Sequence, residues 1–139
     1  MWLPDVNVWL ALTFEAHYHH VAAKEWFETK TPPECAFCRL TQQGFLRLAT
    51  NPSVFKDDAV TMTQAWGLYD KLQGDERVQF LQEPAGTEDS WRKLTKRRQY
   101  SHKVWSDAYL VAFAQATGMR NVTFDQGFKD YKTAAPIIL

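Results

Sequence analysis

Three aspartates stand where acidic side chains could act together: Asp5, Asp107 and Asp125. Asp5 ends a short apolar segment at residues 2–6, and Asp125 directly follows another at 121–124. Both segments have the composition of short buried strands. Because side chains beyond the carboxyl ends of parallel strands share one crevice, we expect Asp5 and Asp125 to meet there.

Asp107 is unusual because it lies in an apolar helical stripe. Its neighbours at i+3, i+4 and i+7 are Leu110, Val111 and Ala114. Residues at this spacing share one face of a helix, so the carboxylate is predicted to point inward, where an isolated ion is costly. Each acid alone also has a simpler interpretation, as a helix N-cap for Asp5 or Asp107 and as a turn residue for Asp125.

The three acids taken together predict a site for a divalent cation. Carboxylates that converge repel one another by about 4 kcal/mol per pair at 4 Å, for an effective dielectric constant near 20. A hard ion such as Mg²⁺, for which Mn²⁺ can substitute, reverses that repulsion, and it can also orient a phosphate and activate a water. This pattern is consistent with a metal site but does not by itself identify one enzyme.

Apolar periodicity predicts an α/β fold in which short strands alternate with helices. The predicted strands are 2–6, 34–38, 78–81, 121–124 and, as a possible fifth, 137–139; the predicted helices are a first one running to Phe14 and others at 17–30, 41–49, 61–72, 87–98 and 104–117. Such alternation favours a mainly parallel sheet covered on both faces. No linker or repeat interrupts the chain, so a single domain over 1–139 is expected.

Bulk composition is that of an ordinary globular domain. Of 139 residues, 45% are hydrophobic and 23% are charged, and 16 basic residues balance 16 acidic ones. Net charge therefore neither favours nor excludes a nucleic-acid partner. No apolar run is long enough to span a bilayer and no basic leader precedes the first apolar segment, so a cytoplasmic protein is expected. Cys35 and Cys38 are expected to pack as buried thiols.

Four segments in order along the chain carry a family resemblance: LPDVNVWLAL from residue 3, CRLTQQGFLRLATNP from 38, WSDAYLVAFA from 105 and VTFDQGF from 122. They resemble the PIN-domain ribonucleases, particularly the VapC-like toxins of bacterial toxin–antitoxin pairs. The resemblance implies a three-layer α/β/α fold, an acidic Mg²⁺ pocket, RNA as substrate and an antitoxin that occupies or blocks the pocket. It also favours a homodimer or a toxin–antitoxin hetero-oligomer, away from the membrane.

The resemblance assigns roles to five residues. Asp5, Asp107 and Asp125 match the family's acids and would hold the metal and serve catalysis. Asn7 matches a polar position two residues after the first acid, where it would contact a metal water or a neighbouring carboxylate. Thr123 lies near Asp125 and would orient it.

One position departs from the family pattern. Many relatives carry a Glu in the TxxGF segment, and the matching residue here is Gln42. A glutamine can offer a carbonyl oxygen but no negative charge. We therefore expect weaker metal binding, and a catalytically weakened PIN module that binds RNA or a partner protein without cleavage stays open as an alternative.

Basic residues near the predicted pocket are candidates for contact with RNA phosphates. Arg97, Arg98 and Lys103 belong to a basic run that precedes Asp107, and Arg47 lies on the TxxGF helix. Phosphate contact by such residues weakens as salt rises. A run of this kind is also typical of a solvated helix face, so both interpretations stand.

Two phosphoryl-transfer folds also gather acids at strand ends. A receiver domain usually places adjacent acids after its first strand and a lysine late in the chain, and only Asp5 fills the first requirement. A haloacid-dehalogenase-type phosphatase would require DxD, whereas this chain has Asp5, Val6 and Asn7. Both alternatives fit the sequence poorly.

Overall fold

The computed structural model describes residues 1–131 and 135–139, and its centre is a five-stranded parallel sheet. The strands are Trp2–Pro4 (β1), Cys35–Phe37 (β2), Val78–Phe80 (β3), Arg120–Thr123 (β4) and Ile137–Ile138 (β5). Their order across the sheet is β3-β2-β1-β4-β5, so the chain starts in the middle. The predicted α/β fold with a short-stranded, parallel sheet is confirmed.

The helices cover both faces of this sheet. They are Val6–Thr13 (α1), His20–Glu28 (α2), Arg39–Ala49 (α3), Pro52–Phe55 (α4), Met62–Gln73 (α5), Thr87–Leu94 (α6) and Val104–Thr117 (α7), with 3₁₀ turns at Lys56–Asp58 and Gln126–Asp130. In the described part of the chain, none of these helices has the length and apolarity that a bilayer span requires.

Two apolar clusters lie on opposite faces of the sheet. Alternate residues of a strand point to opposite faces, so Cys35 and Phe37 join the cluster beneath α1, α2, α3 and α5, whereas Ala36 joins the cluster beneath α7. Cys38 belongs to the second cluster and Cys35 to the first, and both thiols are free and buried. The two faces together make the predicted three-layer α/β/α arrangement.

Several helix boundaries differ from the sequence-based prediction. α6 ends at Leu94 rather than at residue 98, because the Thr95 hydroxyl donates to the Trp91 carbonyl and the following cations leave the helix. α2 begins only at His20. α3 ends at Ala49 ahead of Pro52, as expected, but Pro52 also begins the additional helix α4, since proline suits the first helical turn and the preceding Asn51 side chain accepts from the Ser53 amide at 2.9 Å.

The approach of α3 to α1 is close enough to require glycine. A Cβ added at Gly44 would lie 2.5 Å from Cγ2 of Val6. Val6 is the first residue of α1 and follows Asp5 directly. This contact therefore helps to fix the start of α1, where the first candidate acid lies.

Candidate active site

Asp5 stands at the junction between β1 and α1. Its backbone N–H donates to the Val122 carbonyl of β4 at 2.8 Å, and its Oδ1 accepts from the Val6 amide at 2.7 Å. The carboxylate therefore acts as the helix N-cap that the sequence allowed. Its second oxygen, Oδ2, points toward the end of β4 and is available for other contacts.

Asn7 and Thr123 join the ends of β1 and β4. The buried Thr123 hydroxyl donates to Oδ2 of Asp5 at 2.9 Å, and the same hydroxyl accepts from the Asp125 amide at 3.0 Å. Nδ2 of Asn7 donates to Asp5 and to Thr123, at 3.0 Å in each case, while its Oδ1 accepts from the Phe124 amide at 3.2 Å. Thr123 thus contacts Asp5 as well as the Asp125 backbone, which is more than the expected orientation of Asp125 alone.

Asp125 follows β4 and is exposed. Its Oδ1 accepts from the Gly127 amide at 2.8 Å, so it also fills the turn role that the sequence allowed. The carboxylate remains near enough to Asp5 and Asp107 to disfavour ionisation of both. Asp125 therefore combines a local structural contact with a place in the acidic group.

Electrostatics group Asp107 with the other two acids. Burial, reinforced by the negative charges of Asp5 and Asp125, raises the pKa of Asp107 to about 6. Burial also raises the pKa of Asp5, against the opposing hydrogen bonds from Thr123 and Val6, and the charge of Asp125 adds to the increase. Three residues that are far apart in the sequence therefore lie close enough for their charges to interact, and we call the region they share the acidic pocket.

The acidic pocket has the donor chemistry of a hard cation but does not enclose one. Within residues 1–131 and 135–139, no Lys, Arg or His forms a salt bridge with any of the three carboxylates. Equally, no group of three or more His, Cys, Asp or Glu among those residues is arranged to hold a metal ion. The oxygen donors, the excess negative charge and the lack of ion-paired cations in the described part of the chain fit Mg²⁺ chemically, although the carboxylates are not arranged around a common point.

Gln42 does not contact the acids in this arrangement. It is buried, its Oε1 accepts from Nη1 of Arg39, and its side chain hydrogen-bonds with Tyr69. Tyr69 belongs to the apolar cluster beneath α1, α2, α3 and α5. The family resemblance identified the position, but these neighbours determine the direction of the side chain.

Among the basic residues, Arg97 is linked to the acidic pocket through Tyr131. Its guanidinium carbon lies 5.6 Å from the centre of the Tyr131 ring. Burial raises the pKa of the Tyr131 hydroxyl, the charge of Arg97 lowers it, and the charge of Asp107 raises it. Tyr131, which the sequence analysis missed, therefore lies between a cation and an acid of the pocket.

The other predicted RNA contacts are exposed, and no contact among the described residues links them to the three acids. Arg98 and Lys103 stand in the exposed segment between α6 and α7. Arg47 lines a cleft of about 350 Å³ together with Met62 and Trp66, and none of the three acids lines that cleft. The structure thus brings Arg97 toward the pocket and places Arg47 on a different surface.

A second cleft, missed by the sequence analysis, touches the acidic pocket through Asn7. It has a volume of about 340 Å³ and is bordered by α1, the loop after it, α3 and the segment 54–58. Nearby, the His19 ring stacks on Phe124 with centroids 4.1 Å apart, whereas His20, the histidine thought able to reach the rim, contacts the Ala11 carbonyl. The sequence signal that could have pointed to this cleft is the cluster of histidines that follows α1.

Comparison with known proteins agrees with this architecture. The PIN domain profile matches residues 3–134. Ribonuclease VapC41 of Mycobacterium tuberculosis is 41% identical over 136 residues, which span 94% of this chain and 93% of that protein.

Two solved structures share the fold. The crystal structure of Mycobacterium tuberculosis VapC20, a Sarcin-Ricin loop cleaving toxin, has a TM-score of 0.69 at 18% identity and covers 100% of this chain and 98% of its own. VapBC2 from Rickettsia felis, bound to a DNA fragment from their promoter, has a TM-score of 0.65 at 12% identity and covers 99% and 96%. Together with the profile and the similarity to VapC41, the shared fold leads to one assignment: the chain belongs to the PIN-domain family and, within it, to the VapC-like proteins.

Proposed function

We propose that this protein is a metal-dependent endoribonuclease and the toxin component of a type II toxin–antitoxin module. The observation that carries the proposal is the acidic pocket, in which Asp107 has a pKa of about 6 because burial and two neighbouring carboxylates disfavour its ionisation. Strongly shifted pKa values of this kind cluster at the functional sites of proteins. The ribonuclease names of the relatives support RNA as the substrate.

In this proposal the acids hold the cofactor and their hydrogen-bond partners keep them in place. Asp5, Asp107 and Asp125 would bind Mg²⁺, for which Mn²⁺ can substitute, through the oxygen ligands these ions prefer. When bound, the ion offsets the repulsion among the carboxylates, stabilises charge that develops on the phosphate and promotes ionisation of a water. Asn7 and Thr123 orient Oδ2 of Asp5 through the hydrogen bonds described above.

The phosphate backbone of RNA would be held by cations beside the pocket. Arg97 is the strongest candidate because its charge and that of Asp107 both act on Tyr131. Arg98 and Lys103 extend the same basic segment, and Arg47 would contact a more distant part of the RNA or an antitoxin. Because such contacts release counterions, binding should weaken as salt rises. RNA is met in the cytoplasm, which is the location the proposal implies.

The decisive experiment is an RNA cleavage assay with single-charge variants. Purified wild type, Asp5→Asn and Asp107→Asn are incubated with a mixed RNA pool in Mg²⁺, in Mn²⁺ and in EDTA. Asp70→Asn, which removes an exposed acid from α5, is the matched control. We expect metal-dependent cleavage by wild type and by the control, with a loss of at least about tenfold in both pocket variants. Cleavage that persists in EDTA, or in both pocket variants, would refute the proposal.

A second candidate function is a PIN module that binds RNA or a partner without cutting it. The observation that favours it is Gln42, which leaves the position of the family's Glu without charge and bonded to Arg39. Tight RNA binding by wild type without metal-dependent cleavage would support this candidate over the first.

The role of Gln42 can be tested through Mn²⁺ affinity. A glutamate introduced by Gln42→Glu would pair with Arg39, so the single substitution should tighten Mn²⁺ binding only slightly. In the double variant Gln42→Glu with Arg39→Gln, the new carboxylate is released and binding should tighten by about tenfold or more. Calorimetric titration measures both. Unchanged affinity in the double variant would show that residue 42 does not serve the metal pocket.

The proposed partner is a cognate antitoxin. A toxin–antitoxin complex from Klebsiella pneumoniae shares the fold of this chain, with a TM-score of 0.59 at 16% identity, which supports an antitoxin contact here. We propose that the antitoxin blocks the acidic pocket and that the free protein forms a homodimer. Light scattering of the purified protein, alone and co-expressed with the product of an adjacent reading frame, tests the homodimer and the complex, and loss of RNA cleavage by the complex tests whether the pocket is blocked.

A further inference from the structure

A cleft beside the acidic pocket has the features of a binding site that the proposed chemistry does not use. We call it the side cleft; it is the space of about 340 Å³ that touches Asn7. Its size lies within the range of small-ligand sites. The residues that matter for the inference are Asn7, Phe14, His17, Phe55, Lys56 and Asp58.

The side cleft is continuous with the acidic pocket through one residue. Asn7 lines the cleft and also donates a hydrogen bond to Oδ2 of Asp5 at 3.0 Å. A polymer with one phosphate at the acids would therefore place an adjoining unit in the cleft. This continuity distinguishes the side cleft from the cleft next to Arg47, in whose lining Asn7 has no part.

One wall of the side cleft is aromatic and suits a flat ring. Phe14 and Phe55 stack with centroids 4.2 Å apart and an interplanar angle of 22°, and the His17 ring lies 6.3 Å from Phe55. Leu10 and Leu48 add apolar surface. Nucleobases that leave a helical stack are commonly held against aromatic side chains of this kind.

The rim of the cleft carries one cation and one anion, and such a pair can form hydrogen bonds with the polar edge of a nucleobase. Lys56 and Asp58 are both exposed and both line the cleft. An aspartate accepts hydrogen bonds from exocyclic amino groups of bases, and a lysine donates to carbonyl oxygens or phosphates. A mixed pair therefore fits a nucleotide better than it fits a simple anion.

Backbone strain at the same rim is an independent observation. Lys56 has a φ of 50°, a value that favours glycine, although it carries a long side chain. Non-glycine residues persist in such conformations mainly at ligand-binding and catalytic sites, because the conformation is costly and must be compensated elsewhere. The strained residue lies directly at the mouth of the side cleft.

We propose that the side cleft holds the base of the nucleotide adjoining the scissile phosphate, and that Asp58 selects a base with an exocyclic amino group over uracil. The proposal rests on the proposed ribonuclease function, since the cleft adjoins the same pocket. It assigns Asp58 to specificity and Phe14, His17 and Phe55 to the wall against which the base lies.

The test uses two neighbouring acids that differ in their relation to the cleft. Asp57 and Asp58 share one 3₁₀ turn and are both exposed, but only Asp58 lines the side cleft. Wild type, Asp58→Asn and Asp57→Asn are incubated with a randomised RNA library and the new ends are sequenced. Thermal unfolding first verifies that all three proteins are folded.

The expected result is a change at a single nucleotide position. Wild type should favour adenine, cytosine or guanine over uracil next to the cut, and Asp58→Asn should reduce that preference by about fivefold or more, because an amide can also donate to the uracil carbonyls. Asp57→Asn should match wild type. An unchanged preference in Asp58→Asn, or an equal change in Asp57→Asn, overturns the proposal. RNA readouts that are equal in all three proteins also overturn it, and would fit a cleft that binds only a partner protein.

A binding assay separates failure of this inference from failure of the ribonuclease proposal. Affinities for poly(C), poly(A) and poly(U) are measured in EDTA. If wild type does not cleave RNA yet its preference against poly(U) falls in Asp58→Asn alone, the base site stands and the nuclease proposal fails. If wild type cleaves and Asp58→Asn has no effect on either readout, only the base site fails. Absence of both cleavage and binding overturns both.

Discussion

Neutralising Asp107 should stabilise the metal-free protein, although it is expected to abolish activity. The pKa of this carboxyl is raised from 3.8 to about 6, because burial and the charges of Asp5 and Asp125 disfavour its ionised form. A folded-state pKa above the unfolded value means that the charged form weakens the fold. The penalty is fully present above pH ~6 and disappears as the pH falls through the unfolded-state pKa of ~4.

The size of the effect follows from the pKa difference. A shift of about two pKa units corresponds to at most about 3 kcal/mol. Asp107 is only partly buried, and solvent screening reduces the value to about 1–2 kcal/mol. For a chain of 139 residues, Asp107→Asn should therefore raise the Tm by roughly 3–6 °C at pH ~8 in EDTA.

Thermal unfolding across the pH range provides the assay. The advantage of Asp107→Asn over wild type should shrink toward zero near pH ~4, where the wild-type carboxyl is protonated in both states. Asp70→Asn, an exposed acid on α5, should change stability by less than about 0.5 kcal/mol at either pH. Added Mn²⁺ should raise the Tm of wild type but not of Asp107→Asn. A variant that is no more stable than wild type at high pH would contradict the reasoning.

Three further predictions concern the packing that holds the site. Thr123→Val should destabilise by about 1–3 kcal/mol in urea titration, since Asp5 loses a donor while the Asp125 amide and the Asn7 side chain lose an acceptor, and Thr123→Ser should restore most of the loss. Gly44→Ala should cost about 1–3 kcal/mol because its Cβ overlaps Val6, and a second change of Val6→Ala should recover part of it; simple additivity would contradict the close contact. Gly67→Ala, where a Cβ meets nothing within 4 Å, should instead stabilise α5 by about 0.5–1 kcal/mol, and a loss of stability would oppose this reasoning.

Periodicity predicted most of the fold because burial repeats with the period of each element. The stripe that placed Asp107 in line with Leu110, Val111 and Ala114 predicted the helix correctly, and the three apolar residues are buried. The boundaries were less predictable, since they depend on single local contacts. Pro52 stops one helix and also starts another, and the start of the second helix depends on the Asn51 cap.

Side-chain direction was the part of the site that the sequence could not supply. Gln42 occupies a family position, yet Arg39 and Tyr69 determine where its amide points, and Tyr69 comes from a different helix. The meeting of Phe124 with His19 was likewise not predictable, because the two residues are far apart in the chain and no sequence pattern pairs them. Contacts of this kind depend on tertiary packing rather than on local pattern.

The hydroxyl of Thr123 has a consequence for the order in which the acidic pocket can form. Asp5 follows β1, but the group that fixes its second oxygen lies 118 residues later, on β4. A chain still emerging from the ribosome therefore possesses its first acid without the strand that completes the pocket. The three acids therefore cannot come together until β4 has been synthesised and has paired with β1.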